Sequence, residues 1–196
     1  MPPTSHEIMP GRFVTERVHA LVQEALFTLA ANTIPTWSEF THPASVYAIP
    51  DPTGAPSKVE IILTDTPTQT IKVNHWYLAD RRRGHQPTPH NHRWRTMRSR
   101  ILTGGYRDHV YWSDPDTVTD QIRTHSAGDT NRLDHHEFHE VTDVEPGTWT
   151  CFVGTRSQPG DWGYLDPNTG RYTHNQAMTP DPGFPAAFRA LNPHLP

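Results

Sequence analysis

The chain has 196 residues, enough for a single domain with a substantial buried core. Its 17 basic and 21 acidic residues leave a formal charge of −4, so no global basic field argues for nucleic acid as a partner. No window approaches the ~18 apolar residues that span a bilayer, and no basic-then-apolar leader opens the chain. The single cysteine, Cys151, excludes an internal disulfide and fits a reducing cytoplasm.

Twenty prolines and a mean hydropathy of −0.71 point to short strands and many loops rather than a helical bundle. Residues 1–12, with Pro2, Pro3, Pro10 and Gly11, are expected to form an irregular arm. Val18, Leu21, Val22, Ala25, Leu26, Leu29 and Ala30 then recur at helical spacing. They predict an amphipathic helix over about 14–31, capped by Thr15, that packs outside a sheet or against a second subunit. From residue 44 the pattern changes to β-type runs at 45–49, 58–64, 70–78, 88–94, 97–103, 106–112, 133–141 and 148–154. Turn signals such as Pro50-Asp51-Pro52-Thr53-Gly54 and Glu145-Pro146-Gly147 separate them. Residues 113–131, rich in Asp, Ser, Thr and Gly, are expected to be one long loop of the kind that serves binding. The layout is an N-terminal arm and helix (1–43), an all-β unit (44–178) and a tail (179–196) with a helical turn at 186–191. About eight antiparallel strands fit a jelly-roll sandwich or barrel.

The residues that carry chemistry lie between Gly84 and Gly104, where the fixed points are G-x5-H-x-H-x4-M-x6-G. If His90 and His92 sit on a strand, alternation turns both imidazoles to one face, which is half of a metal site. A third ligand is expected from the segment Leu133 to Val141, where His135, Glu137 and His139 share one face under the same alternation. His135, His136 and Glu137 stay open as alternatives to His139. A bulge or bend must turn Met97 inward, as a hydrophobic wall or a soft ligand. Trp94, Tyr106, Tyr111, Trp149, Trp162 and Tyr164 are aromatic candidates for core or pocket, two or three of them facing substrate. The run Arg81-Arg82-Arg83, with Arg93, Arg95, Arg98 and Arg100, is either a solvated face or an anion holder. Cys151 is expected to be a small buried apolar residue.

The spacing resembles the first signature of the cupin superfamily, G-x5-H-x-H-x3,4-E-x6-G, with Met97 in place of the metal-binding glutamate. Gly128, His139, Val141, Trp149-Thr150, Gly154 and Trp162-Gly163-Tyr164 resemble the second half of one group of bacterial cupins. The likeness spans about residues 70–172. It implies a cupin jelly roll and His139 as the second-motif ligand, although the Pro-x-Gly-x2-His form is absent. A three-histidine set without the glutamate is similar to the cysteine-dioxygenase-like, thiol dioxygenase type of site, whose metal is Fe(II).

The leading expectation is therefore a mononuclear metal-dependent oxygenase acting with O2 on a small anionic metabolite. Its metal ligands would be His90, His92 and His139, with Met97, Tyr106, Arg81 and Trp162 toward substrate. Asp134, Glu137 and Asn91 are candidates to orient the imidazoles. Fe(II) leads among divalent metals, with Zn, Ni, Mn and Cu open. The alternatives are a non-redox lyase or isomerase with Glu137 or a tyrosine as acid/base, and a non-catalytic small-molecule-binding cupin. No nucleic acid or membrane partner is expected, and a homodimer is left open.

Overall fold

The computed structural model describes residues 4–31, 33–79, 89–114, 117–156, 162–177 and 183–195. The N-terminal segment forms a hairpin, β1 (Ser5–Met9) and β2 (Arg12–Thr15), followed by helix α1 (Glu16–Thr28) and the single turn α2 (Trp37–Phe40). Ten strands follow: β3 (Val46–Pro50), β4 (Pro56–Asp65), β5 (Gln69–Trp76), β6 (Trp94–Thr103), β7 (Gly105–Ser113), β8 (Val118–Ser126), β9 (Thr130–Asp134), β10 (Phe138–Val144), β11 (Thr148–Arg156) and β12 (Gly163–Leu165). The short strand β13 (Tyr172–His174) and helix α3 (Phe184–Leu191) end the order.

Every strand pairing is antiparallel, and the strands form a jelly-roll β-sandwich. The larger sheet has the order β3-β4-β5-β11-β6-β9, and the facing one has β10-β7-β8. His90 bridges both His139 on β10 and Tyr164 on β12, so the segment around it joins the smaller sheet to the β12–β13 pair.

The two faces of the six-stranded sheet differ in chemistry. On one face Val59, Ile61, Ile71, Val73, Cys151 and Val153 are fully or almost fully buried, in one cluster with Val22, Ala25, Leu26 and Leu29 from α1 and its C-cap. Thr15 caps the helix as expected, its hydroxyl accepting from the Val18 amide at 3.3 Å. At the other end the Arg98 guanidinium donates to the Leu29 carbonyl at 2.6 Å, tying the helix to β6. The opposite face, which looks toward the smaller sheet, carries rungs of mixed polarity: Glu60–Asn74–Thr150–Ile101 and Ile62–Lys72–Phe152–Ser99–Asn131.

Two expectations fail here. The N-terminal arm is a paired hairpin, because Ile8 and Val14 bury against the α1 cluster. The long loop of 113–131 contains β8 and β9, β8 being held along its length by β7. Residues of β8 are exposed on both sides, so no apolar alternation marked it as a strand. The tail forms a helix as expected, and it covers the edge strand β3. Asn192 accepts from the Ala48 amide at 2.6 Å and donates to its carbonyl at 2.8 Å, standing in for a neighbouring strand.

Leu26 is fully buried under the sheet, so Leu26→Ala should cost about 2–5 kcal/mol in urea unfolding. A second expectation concerns His75, which stacks on Trp149 with ring centroids 4.0 Å apart. Burial, with the nearby Arg12 charge, lowers its pKa to about 4 from an ordinary 6.5. The unfolded chain thus binds a proton first, and stability present above pH 6.5 is lost as pH falls to about 4. In His75→Phe, chemical denaturation across that range should show a flatter pH dependence than the parent.

Candidate metal centre

His90, His92 and His139 come together, their ligand nitrogens all within 4.8 Å of one another. His90 and His139 form a hydrogen-bonded antiparallel pair: the His90 amide donates to the His139 carbonyl at 3.0 Å, and the return bond is 2.9 Å. Directly opposed residues project from the same side of a ladder, so this pairing sends both rings one way. His92 lies just beyond the bridge, before β6 begins, rather than on the continuous strand predicted for 88–94. Position 88 lies outside the described residues. The His92 ring still closes the group, at 4.8 Å from the His90 centroid and 5.0 Å from that of His139.

The tautomer of His139 follows from its partner. Its Nδ1 lies 2.7 Å from Oδ1 of Asp108, which is fully buried on β7. Burial alone would raise the Asp108 pKa, but the His139 charge and hydrogen bonds from His139 and Asn131 bring it below the ordinary value. An ionised Asp108 accepts the Nδ1 proton, so Nε2 of His139 presents its lone pair. That atom sits 2.8 Å from Nε2 of His92. At that separation the two rings share a hydrogen bond, so both nitrogens point into the same small space. Three imidazoles, one backed by a buried carboxylate, form a donor set that could hold a divalent ion.

Asp108 was not expected in this role. Asn91 instead braces the backbone, accepting from the Gly163 amide at 2.8 Å and donating to the His135 carbonyl at 3.2 Å. Glu137 accepts from the Asp134 amide and pairs with Arg123, while Asp134 lies at the β6–β9 edge. The run 133–141 is not one strand: a turn after Asp134 breaks the alternation that would have put His135, Glu137 and His139 on one face. His135 donates through Nδ1 to the His92 carbonyl at 2.8 Å, which fixes the backbone at that ligand.

His92 and His139 line a cavity of about 320 Å³ between the sheets. Met97 forms part of its wall, packed with Trp94, Val110, Leu133 and Phe152. The bulge expected near it is present: Arg156 pairs with Trp94 and Thr155 with Thr96, skipping Arg95. Tyr106 and Trp162 also line the cavity, as does Trp94. Trp149 faces the α1 side, and Tyr111 packs with Phe138 and Leu165. Burial and the Asp108 charge raise the Tyr106 pKa, so its phenol keeps its proton at neutral pH. The Arg81–Arg83 cluster and His85 lie outside the described residues. Of the other arginines, Arg93 reaches the cavity and Arg98 holds the helix end.

Lys58, Lys72, Asn74 and Asn131 complete the polar wall, and the sequence reading missed all four. Both ammonium groups reach Oε1 of Glu60, at 3.2 Å from Lys58 and 2.7 Å from Lys72. Burial raises the Glu60 pKa, but the charges of Lys72 and Lys58 outweigh it and bring the carboxyl to about 2. Lys58 also lies 4.5 Å from the centre of the Trp76 ring. The signal available in sequence was the alternation Lys58-Val59-Glu60-Ile61, which marks a two-faced strand without saying which face meets water.

No protein-family model and no curated protein matches the sequence. Solved structures similar to it include KdgF from Halomonas sp., at 16% identity over 53% of this chain and 84% of that one, TM-score 0.39. An RmlC-like cupin from Shewanella frigidimarina is 16% identical over 58% of this chain and 86% of its own, TM-score 0.36. A cupin superfamily protein from Desulfitobacterium hafniense is 13% identical over 51% and 78%, TM-score 0.36. At such distances the cupin-type reading of this chain rests on its own two antiparallel sheets and the histidines they bring together.

Asp108→Asn removes the carboxylate that orients His139. It should weaken divalent-metal binding about 10–100-fold in a chelator competition, with the fold retained by circular dichroism.

Proposed function

We propose that the chain is a mononuclear metal enzyme of cupin type, acting as an oxygenase on a small anionic metabolite. The observation that carries this is the histidine trio, two of whose members, His92 and His139, line a cavity of about 320 Å³ whose wall also holds two lysines. His90, His92 and His139 would hold the metal, with Fe(II) the ion that suits the oxygenase reading. A divalent ion on three neutral ligands keeps its full charge and supplies Lewis acidity with open positions for substrate and O2.

The chain's own residues supply the rest. Asp108 keeps the His139 lone pair aimed at the site, and the His135 bond to the His92 carbonyl holds the neighbouring backbone. Lys58 and Lys72 attract an anion, and Met97, Trp94, Phe152 and Trp162 exclude water around its apolar part. The absence of a carboxylate at position 97 leaves one negative charge fewer near the ion, which favours direct approach of an anionic group.

One observation favours the second reading, a non-redox lyase or isomerase. Tyr106 lines the cavity with its proton retained, which equips it to donate a hydrogen bond to an oxyanion formed without redox change. Glu137, the other acid/base candidate, is not among the described residues lining the cavity and is engaged by Arg123.

Elemental analysis of protein purified without a histidine tag separates these readings. The expected result is about one equivalent of iron, lost in His90→Ala and His139→Ala, with O2 uptake on a small-acid panel. Zinc, nickel or manganese with turnover under nitrogen would select the lyase or isomerase. A protein that takes up no metal after reconstitution would refute both.

A further inference from the structure

The side chain that orients His139 is itself gripped from the opposite sheet. Asp108 stands on β7 of the smaller sheet and is fully buried, so each of its oxygens needs a donor. Oδ1 meets Nδ1 of His139 at 2.7 Å, and Oδ2 meets Nδ2 of Asn131 at 2.6 Å. Asn131 is 5% exposed and lies on β9, the edge strand of the six-stranded sheet. Its position there is set by register, opposite Ser99 of β6.

The sense of the Asn131 amide follows from its partners. A carboxylate accepts and cannot donate, so the NH2 end faces Asp108. The same Nδ2 reaches the Tyr106 hydroxyl at 3.1 Å, which holds the amide in that sense by a second bond to β7. A donor is therefore fixed against one end of side chain 108, and that end must be an acceptor. With aspartate at 108 the other end is an acceptor too, and His139 gives it the Nδ1 proton.

We propose that Asn131 is a positioning residue for the candidate metal centre. Acting through Asp108 from across the sandwich, it fixes which end of side chain 108 faces His139, and so keeps the Nε2 lone pair of that ring aimed at the site. The metal reading above enters only through the affinity measurement below, because the proton position is read in metal-free protein.

The test is to make the two ends of side chain 108 unlike. In Asp108→Asn the Asn131 donor should take the new amide oxygen and turn the new NH2 toward Nδ1 of His139, driving the ring proton to Nε2. In the double variant Asp108→Asn with Asn131→Leu that grip is gone, and the amide is free to rotate and offer its oxygen to Nδ1–H. Nitrogen-15 shifts of the His139 ring should report Nδ1–H in the parent, Nε2–H in Asp108→Asn, and a return toward Nδ1–H in the double variant. Zinc affinity by chelator competition should follow, the double variant binding about threefold to tenfold more tightly than Asp108→Asn despite its extra substitution. Asn131→Leu alone keeps the accepting carboxylate, so it should retain Nδ1–H and lose about threefold to tenfold in zinc affinity.

A residue that merely fills space would make the double variant worse than the single one. A double variant that keeps Nε2–H and binds zinc no better than Asp108→Asn would overturn the inference, as would parental affinity in Asn131→Leu. Circular dichroism checks each fold, and Asn131→Leu carries the test if Asp108→Asn does not fold. If even the parent takes up no zinc, the ring shifts alone decide, and their reversal would uphold this inference while the metal reading falls.

Discussion

The packing of α1 on the outer face of the six-stranded sheet is the contact on which the rest depends. A sandwich of this size ordinarily finds its main hydrophobic core between its two sheets. Here the largest cluster of buried apolar residues lies on the helix side, joining Leu26 and Leu29 to Ile61, Ile71, Val73 and Val153. The inner side holds two smaller clusters and the cavity. Burial on the outside supplies hydrophobic stabilisation that the inside need not provide. The inner rungs are thereby free to carry Lys72, Asn74, Glu60 and Asn131, residues a conventional core would exclude.

The histidine trio shows the same division between scaffold and chemistry. Two of the histidines, His90 and His139, are fixed by backbone hydrogen bonds to each other, so their relative position is set by the ladder rather than by loop conformation. The third lies off the strand, and its backbone is held by His135. Asp108, on the neighbouring strand β7, settles the proton position of His139 and is itself held by Asn131. Asn131 thus links the carboxylate behind the ligand to the polar wall of the cavity.

The sequence made the helix, most strands and the trio legible because each rests on a short-range pattern. Helical spacing from Val18 to Leu29 and the His-x-His pair need no knowledge of distant residues. The His-x-His argument assumed a continuous strand, whereas the two histidines meet with His92 off the strand. Strand β8 escaped notice because it presents no apolar face, and the β1–β2 hairpin because its prolines and glycine suggested disorder of pattern. The lysines were hidden for another reason. A charged residue in an alternating strand looks solvent-facing until it is known that the apolar face is covered by α1 and the polar face by a second sheet.

That arrangement also sorts the chain's sulfur. Cys151 and Met97 stand on neighbouring strands of one sheet but on opposite sides of it. Burial pushes the Cys151 thiol up to about 12 and places it beneath the helix, away from the cavity. Met97 lines the cavity that His92 and His139 also line. An oxidant that entered the cavity would meet a thioether, whose sulfoxide is reversible by reductases, before a thiol, whose higher oxides are permanent. The six-stranded sheet is in that sense a firewall, with the repairable sulfur on the hot side.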